Sequence, residues 1–328
     1  MKKFLNDVDG FLDESLAGFA AAHSDLVVLH TDPIFVRRRS LKQGKVALIS
    51  GGGSGHEPLH AGFVGFGMLD AACPGQVFTS PTPDQMIAAA EAVDTGGGIL
   101  FVVKNYSGDI MNFEMAAESC RKNATVLVND DVSVENSSFT TGRRGVAGTV
   151  IVEKVIGSLA ESGGTLEACK AFGDRVTKRT ASMGVALTSC TVPKAGRATL
   201  SLGEDEMEMG VGIHGEAGRR RCKMMPADAI AAELLDAILS DLKPPKASDV
   251  LLLVNGLGGT PLGELYVLCN AAHRLLTKSG LQVQRTLVGN FTTSLEMAGA
   301  SLSVCLLDTE ILGHWDSPLN TPALRWRV

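Results

Sequence analysis

The chain lacks a basic excess. Thirty lysines and arginines stand against thirty-six aspartates and glutamates, a formal charge of −6 over 328 residues. That balance excludes a nucleic-acid binder that works by neutralising phosphates and releasing counterions. Long apolar runs are missing too, and none approaches the ~20 residues of a membrane span. Nor is there an export signal: Lys2 and Lys3 open the chain, but Asp7, Asp9, Asp13 and Glu14 break up any apolar core behind them. The spacing of Phe4, Leu5, Val8, Leu12, Leu16 and Phe19 predicts an amphipathic helix there instead. The seven cysteines (73, 120, 169, 190, 222, 269 and 305) contain no CxxC pair. They read as reduced, mostly buried thiols of a cytoplasmic protein.

Glycine, by contrast, is abundant. There are 37, about 11% where ~7% is ordinary, and they cluster between apolar runs as functional turns do. At ~150 residues per domain the length accommodates two domains with sizeable cores. Apolar runs at 46–50, 98–104 and 125–129 alternate with helical periodicity at 83–93 and 110–122, which predicts an α/β domain on a largely parallel sheet. Helices follow at 146–161 and 165–180. Beyond them the texture changes. An apolar run at 185–191 and a strand-like stretch at 198–202 precede a helix at 227–242, stopped by Lys243-Pro244-Pro245-Lys246. A strand at 249–255, a helix at 261–278 and strands at 281–288 and 301–307 complete the second half. The expected fold is α/β: two α/β domains, 1–183 and 184–328, each a mixed or largely parallel sheet flanked by helices.

The densest signal is Ser50-Gly51-Gly52-Gly53-Ser54-Gly55-His56-Glu57-Pro58, directly after a predicted strand. Its glycines let the backbone approach a small polar ligand. It is no P-loop, for GxxxxGK[ST] is absent and the loop holds no lysine. His56-Glu57-Pro58-Leu59-His60 fits HExxH, but Pro58 places the start of any helix after His56 and out of register with His60, so zinc is not expected. Lys104-Asn105-Tyr106-Ser107-Gly108-Asp109 ends another predicted strand, where lysine and aspartate can converge on one ligand. The plainer reading makes Asp109 an N-cap of the following helix. His214, flanked by Gly212 and Gly215, offers an accessible imidazole nucleophile for a carbonyl electrophile. Arg143-Arg144 either binds an anion or brackets a helix start. The runs at Arg37–Arg39 and Arg219–Arg221 read as solvated surface. The loop Asn255–Thr260 is a second glycine turn that shapes a pocket or a subunit contact.

In order along the chain stand GGGSGHEP at 51–58, PGQVFTSPTPDQ at 74–85, KNYSGDIMNFEMA at 104–116, GRRGVAGT at 142–149, GVGIHGE at 210–216, LVNGLGGTPLGELY at 253–266 and TPALRW at 321–326. Together they closely resemble the dihydroxyacetone kinase K family over essentially the full length. The resemblance implies that His214 adds to the ketone of dihydroxyacetone to form a hemiaminal. It further implies that Gly53, Ser54, His56, Lys104 and Asp109 hold the substrate, with His56 and Asp109 as acid and base beside His214. Family members are homodimers. With no Walker motif and no further nucleotide-binding domain, the chain resembles the subunit of the phosphoenolpyruvate-dependent system. ADP and magnesium are then expected in a separate L subunit, with no cofactor and no metal in this chain. Two departures stand out: Ala217 replaces a common proline, and 223–248 is short beside some members. The alternatives are a non-catalytic dihydroxyacetone-binding coactivator of a transcription regulator, and a kinase subunit for another short ketose such as erythrulose.

Overall fold

The computed structural model describes residues 2–133 and 142–328. After helix α1 (Phe11–Ala22), the first sheet is built from β1 (Val27–Thr31), β2 (Ile34–Arg38), β3 (Ala47–Ser54), β4 (Ala71–Val77), β5 (Ile99–Lys104) and β6 (Asn123–Val128), with α2 (Pro83–Val93) and α3 (Ser107–Ser119) between its later strands. Its order is β1-β2-β4-β3-β5-β6. β4, β3, β5 and β6 run parallel, and β1 and β2 add an antiparallel margin. Because β3 leads outward to β4 on one side and β5 to β6 on the other, the carboxyl ends of β3 and β5 flank a switch point. Open parallel sheets bind ligands there.

Helices α4 (Gly148–Glu161) and α5 (Leu166–Lys178) precede the second sheet. That sheet comprises β7 (Thr180–Ala186), β8 (Glu206–Met209), β9 (Arg220–Lys223), β10 (Asp249–Gly256), β11 (Gln282–Gly289) and β12 (Gly299–Leu306), with α6 (Ala227–Leu242) and α7 (Leu262–Lys278) on its outer face. Its order is β11-β10-β12-β7-β8-β9, and only β10 and β11 are parallel neighbours. The expected α/β class holds, with the second sheet mixed. Helix α8 (Thr309–Asp316) and the short hairpin β13–β14 (Leu319–Asn320, Arg325–Trp326) end the chain. This terminal stretch returns to the first core through Ile311, Trp315, Leu319 and Leu324. The division expected at 183/184 passes through β7.

Strand alternation sorts the cores. On β5, Phe101 and Val103 face outward to α2 and α3, while Leu100 and Val102 face inward. On β10, Leu251 and Leu253 face the same inner core, and Val250, Leu252 and Val254 the outer one. α4 lies in the inner core between the two sheets. All its residues except Leu159 and Glu161 are buried, the charged Glu153 and Lys154 among them.

Several sequence expectations change. α1 begins at Phe11, and Phe4 is fully exposed, so the apolar spacing starts about two turns too early. β1, β2, β4, β8 and β9 carry no strong apolar run and were not expected. The stretch 198–202 forms a single bridge, Thr191 to Ala198, and no strand. Arg38 is no solvated residue. It is 6% exposed and pairs with Asp70 at 3.3 Å and Glu161 at 2.8 Å, since β2 turns it inward.

Gly173 of α5 sets how closely α5 approaches its neighbours: a β-carbon there would lie 2.6 Å from both Ile156 Cδ1 and Val126 Cγ2. Glycine to alanine inside a helix ordinarily gains ~1 kcal/mol, whereas overpacking a tight core costs ~1–3 kcal/mol. Gly173→Ala is therefore expected to lower the urea midpoint; an unchanged or raised midpoint would show that the contact yields.

Candidate functional site

β3 is buried along its whole length and delivers Gly51 to Ser54 to the switch point. β5 delivers Lys104 opposite. Its ammonium is buried and meets three acceptors: Gly51 O at 3.3 Å, His60 Nε2 at 3.2 Å and Asp109 Oδ2 at 3.2 Å. Gly52 is required by this arrangement, because a β-carbon there would stand 2.3 Å from Lys104 Nζ. Asp109 lies in the first turn of α3, and Ser80 donates to its other oxygen. The helix starts at Ser107 with Tyr106 as its N-cap, so Asp109 is not the cap. The N-terminal end of the helix dipole favours its negative charge.

His214 comes from the second half, in the loop between β8 and β9. Its Nδ1 lies 3.0 Å from Glu216 Oε1, and Glu216 Oε2 accepts from the His214 backbone N–H at 2.9 Å. A carboxylate partner places the ring proton on Nδ1 and the lone pair on Nε2. Burial would raise the Glu216 pKa, but its interaction with His214 and the charge of Arg144 outweigh it and hold the carboxyl at about 2. Gly212 leaves room for this pair, for a β-carbon would fall 1.9 Å from Glu216 Oε2. Arg144, fully buried, bonds Asp131 at 2.7 Å and Gly210 O at 2.8 Å. Of the two readings of Arg143-Arg144, Arg144 thus braces the loop that carries His214.

His56 uses a different device. Its Nδ1 lies 2.7 Å from Thr293 O. A carbonyl only accepts, so Nδ1 carries the proton and Nε2 the lone pair, and Nε2 is buried with no hydrogen-bond partner. Burial, reinforced by the fields of His214 and Lys104, holds the His56 pKa well below the usual histidine value. Asn255 holds the two residues before Thr293: its amide donates to Thr292 O at 2.8 Å and accepts from the N–H groups of Phe291 and Thr292. Leu257 O accepts from Ser294 N–H at 2.9 Å, so the second glycine turn brackets the residue whose carbonyl meets His56.

The His56 and His214 rings stand 4.8 Å apart at 72°, with Phe78 stacked on His56 at 5.0 Å and edge-on to His214 at 5.2 Å. Phe78 holds a left-handed backbone at φ +56°, a strain of ~1–3 kcal/mol tolerated where packing over-determines it. Tyr106 packs edge-on to His214 at 4.7 Å. Gly53, Phe78, Ser80, Tyr106, Asp109 and His214 line one open cleft of about 600 Å³. The imidazole of His214 and the carboxylate of Asp109 thus face one cleft.

Of the residues expected from the sequence, Gly53, Asp109 and His214 meet in this cleft, with Lys104 and His56 directly against them. Ser54 turns away: its hydroxyl donates to Gly75 O at 2.7 Å, and it lines a separate cavity of about 390 Å³ under α1. The HExxH residues form no helix. His56 bonds Thr293 O, His60 bonds Glu153, and among the described residues no group of three or more His, Cys, Asp or Glu side chains could hold a metal. Sequence reasoning missed His60, Ser80, Tyr106, Glu153, Glu216 and Thr293. Glu216 was discoverable from its place two residues after His214, and Ser80 and Tyr106 lie in the quoted motifs.

The Dak1 domain family model matches residues 17–323. Among curated relatives, the PTS-dependent dihydroxyacetone kinase 1, dihydroxyacetone-binding subunit DhaK, of Listeria innocua is 49% identical over 326 residues, covering 98% of each chain. The dihydroxyacetone kinase of C. freundii, in its native form, superposes with a TM-score of 0.90 at 32% identity, over 98% of this chain and 60% of that one. The dihydroxyacetone kinase operon co-activator Dha-DhaQ superposes at 0.89 and 34% identity, over 94% and 97%. Among the described residues no helix is long and apolar enough to cross a membrane.

The Glu216 pKa predicts an acid response. It falls from 4.5 in the reference state to about 2, so as pH drops the unfolded chain takes up the proton first. The stability conferred is present above about pH 4.5 and is lost toward pH 2. Glu216→Gln should therefore flatten the decline of the urea midpoint between about pH 5 and pH 3. Parallel curves for the two proteins would refute the pairing.

Proposed function

From the premise that the chain belongs to the Dak1 domain family, we propose that it is the dihydroxyacetone-binding subunit of a dihydroxyacetone kinase, a phosphotransferase acting on an alcohol group. The observation that carries this reading is the pairing, in one cleft, of the His214 Nε2 lone pair with a carboxylate held by Lys104 and Ser80. Nε2 adds to the ketone carbon, forming a C–N bond as the C–O π bond breaks. Positive charge develops on the ring, where Glu216 lies 3.0 Å from Nδ1. The oxygen takes up a proton and Nδ1 gives one up, so the net change is a balanced addition and needs no oxidant. Glycerol, without a carbonyl, cannot be captured.

A triose offers little surface, and a reversible covalent bond supplies orientation that weak contacts cannot. The tether presents a terminal hydroxyl to Asp109, which accepts its proton as the oxygen attacks phosphorus. His56, kept neutral, accepts a proton at Nε2 beside the hemiaminal and then returns it. Phosphoryl transfer asks chiefly for positioning, a base and charge stabilisation. Lys104 contributes the charge: its bonds of 3.2–3.3 Å are long for an ammonium, leaving room for a substrate hydroxyl to share its protons. A nucleotide-binding L subunit carrying ADP and magnesium is the donor in this reading, as the Listeria relative's PTS dependence supports. Because a co-activator has the same fold, ketose capture alone does not mark a kinase. The Asp109 arrangement supports the kinase reading.

His214→Ala is expected to abolish the one-triose mass increase seen by native mass spectrometry, and persistence of the adduct would place the nucleophile elsewhere. Asp109→Asn should keep the adduct while turnover falls ~10²-fold or more; undiminished turnover would remove Asp109 as base. The decisive assay supplies labelled ATP alone and then with the nucleotide-binding partner. Triose phosphate formed from ATP by this chain alone would overturn the split-subunit reading.

A further inference from the structure

Behind Lys104 lies a polar chain that the reaction as described does not use. His60 Nε2 meets the Lys104 ammonium at 3.2 Å, and His60 Nδ1 meets Glu153 Oε1 at 2.6 Å. Both side chains are buried, Glu153 completely. Glu153 sits in α4 within the run Val150-Ile151-Val152 and Val155-Ile156, all fully buried. Its second oxygen, Oε2, has no hydrogen-bond partner. A carboxyl in such a helix is costly, and replacing buried ionic groups by apolar ones is often neutral or stabilising. Stability therefore does not account for its presence.

We infer that Glu153 and His60 are positioning residues for the Lys104 ammonium: Glu153 fixes the His60 ring proton on Nδ1, so that Nε2 turns its lone pair to Lys104 and keeps the ammonium aimed at Asp109. The inference rests on the kinase reading for its consequence, but not for its geometry. Lys104 has three protons and three acceptors, Gly51 O, His60 Nε2 and Asp109 Oδ2. With the other tautomer, Nε2–H would point at an ammonium proton, two donors would face each other in a dry site, and Lys104 would swing away. An imidazole suits this place better than a carboxylate. A carboxylate in direct contact would compete with Asp109 for the ammonium, whereas a neutral ring supplies an acceptor and keeps the acidic group one ring further back. Burial, reinforced by the fields of Lys104 and His56, keeps the His60 pKa well below the usual value and the ring neutral. Burial also pushes Glu153 up to about 8, against the pull of Ser50 and Lys104. Glu153 accepts from Nδ1–H whether or not its other oxygen is protonated.

The test reads the tautomer and the kinetics separately. Nitrogen-15 NMR of labelled histidine in the full chain should show His60 protonated on Nδ1 and unprotonated on Nε2. The reverse assignment would overturn the inference outright, whatever the protein's activity. Glu153→Met removes the acceptor at similar volume. Its kcat/KM for dihydroxyacetone, assayed with the partner subunit, should fall ~10-fold or more, as when the carboxylate behind a ligand histidine is lost, while the mass adduct on His214 persists. Glu153→Gln keeps a carbonyl acceptor for Nδ1–H and should restore the rate to within ~3-fold, a rescue that distinguishes orientation from charge. Should Glu153→Met fail to fold, His60→Gln, whose amide oxygen can still accept from Lys104, is expected to retain more activity than His60→Leu. Equal rates across either series would refute the positioning role. A wild-type chain that neither captures nor phosphorylates the ketose would instead refute the kinase reading and leave the tautomer result standing.

Discussion

The buried ammonium of Lys104 is the constraint around which the first half of the site is organised. Burying an isolated charge is prohibitive, so acceptors must be brought to it, and the chain supplies them from β3, α3 and the turn that holds His60. One glycine of the loop follows from the same demand. A side chain at 52 would occupy the position of the Nζ atom, and, outside the loop, one at 145 would lie 2.9 Å from the Lys104 Cα. Gly52 thus makes room for a cation arriving from β5, where a P-loop's glycines would wrap a phosphate. The negative end of this arrangement, Asp109, points into the cleft and is left with chemistry to do.

The two cleft histidines show how one residue type is given two tasks by its partners. Both carry the proton on Nδ1 and the lone pair on Nε2. In the proposed reaction His214 is backed by a carboxylate, which would stabilise positive charge on the ring as it adds to the ketone, the property a nucleophile needs. His56 is backed by a neutral carbonyl and by burial, which oppose positive charge. Such a ring exchanges protons without settling as an imidazolium, which suits it to act as an acid or base beside the adduct. Arg144 maintains the asymmetry, since its charge stabilises Glu216 and its bond to Gly210 O braces the loop on which His214 stands.

Much of this was legible because the chemistry lies at strand ends marked by apolar runs. The runs at 46–50 and 98–104 located the carboxyl ends of β3 and β5, and with them Gly53, Lys104 and Asp109. His214 was visible from its glycines. The losses have physical causes. The apolar stretches of β1 and β2 are brief, β4 lies inside its sheet but reads AACPGQV with a proline and a glycine, and β8 and β9 are short and carry charges, so pattern alone does not reveal them. Arg38 resembled a surface charge because its partners, Asp70 and Glu161, are 32 and 123 positions away. His60 was considered only for a zinc motif, since its partners come from β5 and α4. Glu153 did leave a trace, as a carboxyl flanked on its N-terminal side by Val150-Ile151-Val152 and followed after Lys154 by Val155-Ile156, where burial demands a partner. Ser54 was carried in by its motif, but on a strand its side chain points opposite to that of its neighbour, here toward Gly75.

A covalent tether is useful only if what it presents the substrate to does not move. His214 stands on the second sheet's side, and Asp109 and Lys104 on the first, so the reacting distance spans two separately formed sheets. Two features make that span rigid. α4 is packed between the sheets with nearly every residue buried, so the sheets share one core and cannot hinge without opening it. At the cleft itself, Thr293 of the second half bonds His56 of the first, and Leu295 N–H donates to Gly55 O at 2.8 Å. In the proposed reaction, capture at His214 fixes one end of a three-carbon molecule, and these cross-sheet bonds fix the base for the other. Productive geometry has to be held to within ~0.5 Å. A shared core with cross-sheet bonds at the cleft meets that demand, where two domains joined by a flexible linker would lose the benefit of the tether.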